Sequence, residues 1–440
     1  MRARPAERWP WLLAVLTVSC ATAASVSIER LGSTATAPGP SVTATNVGEQ
    51  LDRGRFPEVE AYLRALPPAD LARSGTDLSR LGRALFARGD FQGARESLSA
   101  ALERPLTVPE RAEAQWALAQ TDVLADDFRS AAGHTSEAID SGLSLSPGFL
   151  RFLEGLAGES LYAGVSAGTR LETGFESGLY DLVRVPVTVN GRPVSAVLDT
   201  GASYCILTRS FARETGLVEI ADSDAFGLGL HHKPIPLTFG VVQALTLAGT
   251  TLQTVPVMVM PDEALSFTTE RGPLPLAMVL GLHLLKEFSV EIDYAGQHLT
   301  LTRLPPRPSR ASPDQNLFFA RGKVFVRVAV DRNAPSLFLL DTGSELTMLT
   351  AAGVRRLQLR PSVGMFPKRV EGIGRARVSW GKVDRAAIAL SDWRLVFRDI
   401  VVAETEEALE DGVLGASALL HFRVRIDFGA MTLSLEERHS

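Results

Sequence analysis

One block of landmarks occurs twice in this chain, in the same order. Asp199-Thr200-Gly201 follows the apolar Ala196-Val197-Leu198, and Asp341-Thr342-Gly343 follows Leu337-Phe338-Leu339-Leu340. A second apolar stretch comes after each triplet, Cys205-Ile206-Leu207 and Leu346-Thr347-Met348-Leu349. A Gly-x-Gly follows, at Gly227 and Gly229 and at Gly372 and Gly374, beginning 28 and 31 residues after its aspartate. Then come Met278-Val279-Leu280-Gly281 and Gly412-Val413-Leu414-Gly415, the segments 288–293 and 422–427, and closing strands at 298–301 and 431–435. One Asp-Thr-Gly is weak evidence, since about 0.05 copies arise by chance in a chain this long at one in twenty per position. Two copies on apolar strands with the same sequel are a duplication. The chain must therefore fold as two related halves, 178–304 and 317–440.

Within the halves the hydrophobic period is 2. Residues 183–189 alternate, Asn190-Gly191 supplies a two-residue hairpin turn, and 194–198 return. Short strands and turns continue to the C-terminus. The stretch 304–313 holds four prolines and separates the halves, so 305–316 reads as a Pro-rich linker.

Ahead of the halves the period is 3.6. Gly54-Arg55-Phe56, Gly89-Asp90-Phe91 and Asp126-Asp127-Phe128 mark three turns, with 35 and 37 residues between the phenylalanines. The spacing after each Phe repeats: Val59, Leu63, Leu66; Ala94, Leu98, Ala101; Ala131, Thr135, Ala138. Gly82 and Ala119 end the Leu81-Gly82 and Leu118-Ala119 pairs that begin ten residues before their Phe, and a small residue there lets two helices approach closely. Residues 49–165 thus resemble tetratricopeptide repeats, with two full units and one partial; an irregular helical bundle is the alternative. Residues 24–48, rich in Ser, Thr, Ala and Gly, are expected to be a flexible leader.

Residues 1–23 have the form of an export signal: Arg2, Arg4 and Arg8, an eight-residue apolar stretch at 11–18, and a small-x-small site at Ala21-Thr22-Ala23. Thr17-Val18-Ser19-Cys20 competes with it as a lipoprotein signal, with Cys20 the lipidated residue. The chain is expected to be extracytoplasmic, tethered through Cys20 or free. Net charge is -5, from 45 basic and 50 acidic residues, which leaves no basic excess for nucleic acid. Two cysteines exclude a disulfide scaffold and a four-cysteine zinc site. His231 and His232 are adjacent and without an evident third ligand, so no metal or cofactor is expected. Neither Gly-x-Gly extends to G-x-G-x-x-G, which excludes a dinucleotide loop. Asp293 and Asp427 precede an aromatic residue and a glycine turn and read as turn residues.

The duplicated block, residues 178–440, resembles the pepsin/retropepsin class of aspartic proteases, in particular retropepsin-like domains of bacterial envelope proteins. The resemblance implies a fold that is multidomain α and β: the helical repeats, then two all-β barrel domains forming a pseudo-two-fold bilobal unit. It implies that Asp199 and Asp341 are catalytic, that Thr200 and Thr342 bond across the two-fold axis, and that a glycine-bearing hairpin in each half is a flap. An ordinary hairpin turn is the alternative for each. Two carboxyls held about 3 Å apart cannot both ionise, so one serves as base while the other donates. Neither half achieves this alone. Gly201 and Gly343 let the backbone approach the acids and aim N–H groups at them. Ser344 can bond the Asp341 carboxylate where Ala202 cannot serve Asp199, so Asp341 is expected to be the more readily ionised member. Cys205 reads as a core thiol. The substrate would be a peptide or protein, with a protein partner possible at the repeats. A catalytically silent peptide-binding or scaffolding protein, and a homodimer pairing like halves, are the competing functions.

Overall fold

The computed structural model describes residues 17–19, 25–31, 39–176, 181–228, 234–269, 272–305, 312, 314–331, 333–362, 369–372, 376–379, 381–403 and 409–437. Each half closes into a six-stranded barrel. In the first, Arg184–Val189, Arg192–Leu198, Met278–Leu280, Cys205–Thr208, Thr250–Met260 and Pro234–Leu247 pair in that order, and the last returns to the first. In the second, the ring is Lys323–Val330, Ser336–Leu340, Gly412–Leu414, Met348–Thr350, Trp393–Ala403 and Gly381–Leu390, again closing on its first strand. The Asn190-Gly191 turn has positive φ at both residues, as the two-residue hairpin requires.

The Val-Leu-Gly landmarks earn their place here. Met278–Leu280 runs parallel to Arg192–Leu198 and antiparallel to Cys205–Thr208, wedged between them. Gly412–Leu414 does the same between Ser336–Leu340 and Met348–Thr350. A Cβ on Gly281 would lie 2.1 Å from the Tyr204 carbonyl oxygen, and one on Gly415 2.3 Å from that of Leu346. Only a residue without a side chain passes at that distance.

The halves share main-chain hydrogen bonds. Phe288–Asp293 pairs antiparallel with Phe422–Asp427, inside a five-stranded sheet completed by His298–Arg303, Arg170–Gly174 and Thr432–Glu437. Asp293 Oδ1 accepts from the amides of Ala295 and Gly296, and Asp427 Oδ1 from those of Gly429 and Ala430. Both aspartates are therefore turn residues, as their sequence context indicates.

Helices pair over 47–140: Val47–Asp52 with Phe56–Arg64, Gly75–Ala87 with Phe91–Leu102, and Val108–Leu124 with Phe128–Asp140. Phe56, Phe91 and Phe128 each open the second helix of a pair. Val59, Leu63, Ala94, Leu98, Ala101, Ala131, Thr135 and Ala138 are all fully buried. A Cβ on Gly82 would sit 2.5 Å from Leu98 Cγ, which accounts for the small residue in the first helix of that pair. Pro147–Leu156 follows as a further helix.

The three turn phenylalanines face the barrels. Phe56 lies 5.7 Å from Phe318, Phe91 6.1 Å from Phe319, and Phe128 5.7 Å from the His283 ring, centroid to centroid. Phe152 stacks on Phe239 at 4.3 Å. Glu58 pairs with Arg327 of the second half, and Asp126 with the buried Lys286 of the first. One hydrophobic core runs through helices and both barrels.

Two segments depart from the sequence expectation. Val26–Arg30, placed in a flexible leader over 24–48, is a strand on the outer edge of the second barrel, antiparallel to Trp393–Ala403. Arg170–Gly174 adds to the five-stranded sheet beside His298–Arg303, ahead of the boundary at 178. Most of the Pro-rich linker lies outside the described residues, but Asn316 is pinned: its amide donates to the Met431 carbonyl and its side chain to that of Leu433. No helix among the described residues is long and apolar enough to cross a membrane. Cys20 and most of the signal-like segment lie outside the described residues.

Candidate active site

Each Asp-Thr-Gly leaves the end of a buried strand and is held by the wedge strand behind it. The Asp199 amide donates to the Leu280 carbonyl (3.0 Å) and the Asp341 amide to that of Leu414 (3.1 Å). Just past the wedge, Leu282 N donates to Ala202 O and Ala416 N to Ser344 O, both at 2.7 Å. The two triplets are thus fixed by the same bonds in each half.

They meet at the pseudo-two-fold axis through their threonines. Thr200 Oγ1 donates to the Leu340 carbonyl (2.6 Å) and accepts from the Thr342 amide (3.1 Å). Thr342 Oγ1 donates to the Leu198 carbonyl (2.9 Å) and accepts from the Thr200 amide (3.1 Å). Four buried hydrogen bonds tie loops 142 residues apart. The glycines bring the acids together. A Cβ on Gly201 would lie 2.7 Å from Asp341 Cγ, and one on Gly343 2.4 Å from Asp199 Cγ. Both carboxyls are fully buried and within hydrogen-bonding reach of each other.

Their electrostatics are unequal. Asp199 Oδ1 accepts from Gly201 N (2.7 Å) and Ala202 N (3.1 Å), and Asp341 Oδ1 accepts from Gly343 N (3.0 Å). Among the described residues no amide or hydroxyl donor reaches Oδ2 of either acid. Burial, then the charge of Asp199, push the Asp341 carboxyl well above the ordinary carboxylate value. Burial also raises Asp199, but hydrogen bonds from Asp341 and from the Gly201 and Ala202 amides hold it down. Both carboxyls are raised and face each other, so the pair titrates as one unit that shares a proton. The Ser344 hydroxyl has one proton to give, and it donates to the Leu346 carbonyl at 2.9 Å.

Both Gly-x-Gly motifs fall on hairpins. Gly227 pairs with Ile235 near the end of the Val218–Leu228 and Pro234–Leu247 hairpin. Gly372 pairs with Ala376 at the end of Arg369–Gly372 and Ala376–Ser379. Gly229 and Gly374 lie outside the described residues, as do His231 and His232. Cys205 is buried in its barrel strand, and burial pushes its thiol up to about 12, as for a core residue. Among the described residues no cluster of three or more His, Cys, Asp or Glu could hold a metal.

The sequence reading missed Lys323. It interacts electrostatically with Asp341, Asp199 and Glu410. The signal lay in comparing the strand ahead of each triplet between the halves, where one half has a lysine and the other a leucine.

Two segments, residues 185–284 and 326–418, match the family model described as aspartyl protease, one in each half. The matched segments fall on the two six-stranded β-barrels that follow the helical N-terminal region. It is similar to a retropepsin-like aspartic protease from Rickettsia conorii, at 20% identity over 31% of this chain and 91% of that one, with a TM-score of 0.22. It is also similar to an aspartic proteinase from Irpex lacteus, at 11% identity over 61% of this chain and 97% of that one, with a TM-score of 0.39. No curated protein sequence matches the chain.

Proposed function

We propose that this chain is an exported aspartic-type endopeptidase that hydrolyses peptide bonds with a water activated by Asp199 and Asp341. The supporting observation is the juxtaposition itself: each triplet's glycine lies against the other's carboxyl, so the two acids form one site with one shared proton. The ionised member of the pair takes a proton from the water as it attacks the scissile carbonyl, and the protonated member gives its proton to the carbonyl oxygen. As the C–N bond of the gem-diol breaks, the newly protonated acid gives its proton to the leaving amine and the other acid takes one from a gem-diol hydroxyl, so the pair ends singly protonated and no covalent intermediate forms. Because the acids titrate as a unit, the rate follows a bell-shaped pH profile bounded by two apparent values of the pair. Thr200, Thr342, Gly201 and Gly343 support the dyad, and the hairpins bearing Gly227, Gly229, Gly372 and Gly374 serve as flaps over a peptide or protein substrate. Residues 1–23 direct export, with Cys20 as a possible lipid attachment point, and the tetratricopeptide-like helices offer a surface for a protein partner.

The test is cleavage of a denatured protein by the purified chain across pH 3–7, with products sequenced by mass spectrometry. Activity is expected, with one atom of ¹⁸O from labelled water in each new carboxyl. Asp199→Asn and Asp341→Asn should each reduce it by at least about 10³-fold, and a mimic with a hydroxyl in place of the scissile amide should inhibit. Binding of that mimic by a folded chain that never cleaves would instead make it a silent peptide-binding protein.

A further inference from the structure

The two halves match at the dyad but not beside it. Lys323–Val330 pairs with Ser336–Leu340 so that Phe325 faces Leu339; continued by two residues, the register brings Lys323 opposite Asp341. In the first half Arg184 faces Val197 and the Leu198 amide donates to Val183, so the residue opposite Asp199 is Leu182, which is fully buried. Glu410 stands two residues before Gly412, and its counterpart two residues before Met278 is Leu276, also buried. Two leucines in one half are thus replaced by a lysine and a glutamate in the other.

The register sets Lys323 beside Asp341, and its ammonium lies within electrostatic range of Glu410, Asp341 and Asp199. Burial lowers the ammonium from its ordinary value while the three acids favour its charge. Its attraction in turn lowers both aspartates. Nearby, Asp411 is paired with Arg356 at 2.5 Å, and Arg321 lies in the same turn as Lys323.

Resting on the protease assignment, we propose that Lys323, checked by Glu410, is a positioning residue of the dyad: its ammonium keeps the pair singly protonated down to lower pH than two apolar walls would allow. The sign follows from charge. A cation favours the singly charged pair over the neutral one and the doubly charged pair over the single, so both limbs of the profile move to lower pH. Glu410 opposes it.

The experiment compares kcat/KM from pH 3 to 8 for wild type, Lys323→Met, Lys323→Arg and Glu410→Gln. Lys323→Met should move both limbs up by about one pH unit, the size expected for one partly screened charge several ångströms away. Lys323→Arg should restore the wild-type profile, and Glu410→Gln should move it down. A purely structural lysine would change the amplitude and leave the limbs in place. Superposed profiles, or Lys323→Met and Glu410→Gln moving the same way, overturn the proposal. Should Lys323→Met fail to fold, Glu410→Gln carries the test. A readout independent of turnover separates this proposal from the protease assignment: the Tm difference between wild type and Lys323→Met, from pH 3 to 7, repeated with Asp199→Asn and Asp341→Asn both present. A pH-dependent difference that shrinks without the aspartates, to the part that Glu410 alone supplies, supports the coupling even in a chain that never cleaves. A flat difference in a chain that does cleave defeats the coupling alone.

Discussion

At the scale of single residues, the site is built from contacts too close for any added atom. An alanine at 201 or 343 would place its methyl against the opposing carboxyl. Gly201→Ala and Gly343→Ala are expected to keep the fold, at a cost of about 1–3 kcal/mol, and to cut kcat/KM by about 10²-fold as the acids are pushed apart. Far-ultraviolet circular dichroism with a cleavage assay checks both halves of that statement. Thr200→Val leaves the Leu340 carbonyl and the Thr342 amide without their partner, and Thr342→Val does the same to Leu198 and Thr200. Each should cost about 2–4 kcal/mol in urea unfolding, and the double variant less than the sum, because the two hydroxyls serve one interlock. The acids were legible in the sequence as a duplicated triplet on apolar strands, the glycines as the residues that let the backbone come close to them, and the threonines through the family that the triplet resembles. Lys323 and Glu410 were not. They depend on which strand end lies beside the triplet, and that register is set by pairings distant in the chain.

At the scale of elements, the helical period was legible because a repeat states its own spacing. Gly82 tests it. Alanine normally favours a helix over glycine by about 1 kcal/mol. Gly133, on Phe128–Asp140, has nothing within 4 Å of an added Cβ, so Gly133→Ala should stabilise the chain by about 0.5–1 kcal/mol. Gly82→Ala, with Leu98 in the way, should destabilise it by about 1–3 kcal/mol despite the same propensity gain. Thermal unfolding of the two variants side by side decides it, and equal shifts would show that the helix pair is looser than described. The strands Val26–Arg30 and Arg170–Gly174 escaped notice for a physical reason. Each is five residues long, buries at most one of them, and pairs with a strand more than a hundred residues away, Trp393–Ala403 and His298–Arg303. So short a run carries no period of its own.

At the scale of the molecule, the helical region braces both halves, and part of that brace is ionic. Burial works against the Glu287 charge, yet Lys286 and Arg303 overcome it and hold the carboxyl at about 2. A depressed carboxylate adds stability above its unfolded value of 4.5 and loses it as pH falls through about 2. Asp126 offsets part of this, since burial raises its carboxyl. Between pH 4.5 and 2 the chain should lose stability on the order of a few kcal/mol, and Glu287→Gln should flatten the slope of urea midpoint against pH. Lys286→Met, which strands Asp126 and Glu287 without their buried cation, should cost about 3–5 kcal/mol at neutral pH.

The five-stranded sheet beneath the dyad has a mechanical corollary. Its central ladder, Phe288–Asp293 against Phe422–Asp427, crosses from one lobe to the other, and the helices clamp both lobes from the outside. Rocking the lobes apart like a jaw would tear backbone bonds and strip aromatic contacts together. The two triplets therefore keep their spacing, because separating the lobes means breaking the ladder that joins them.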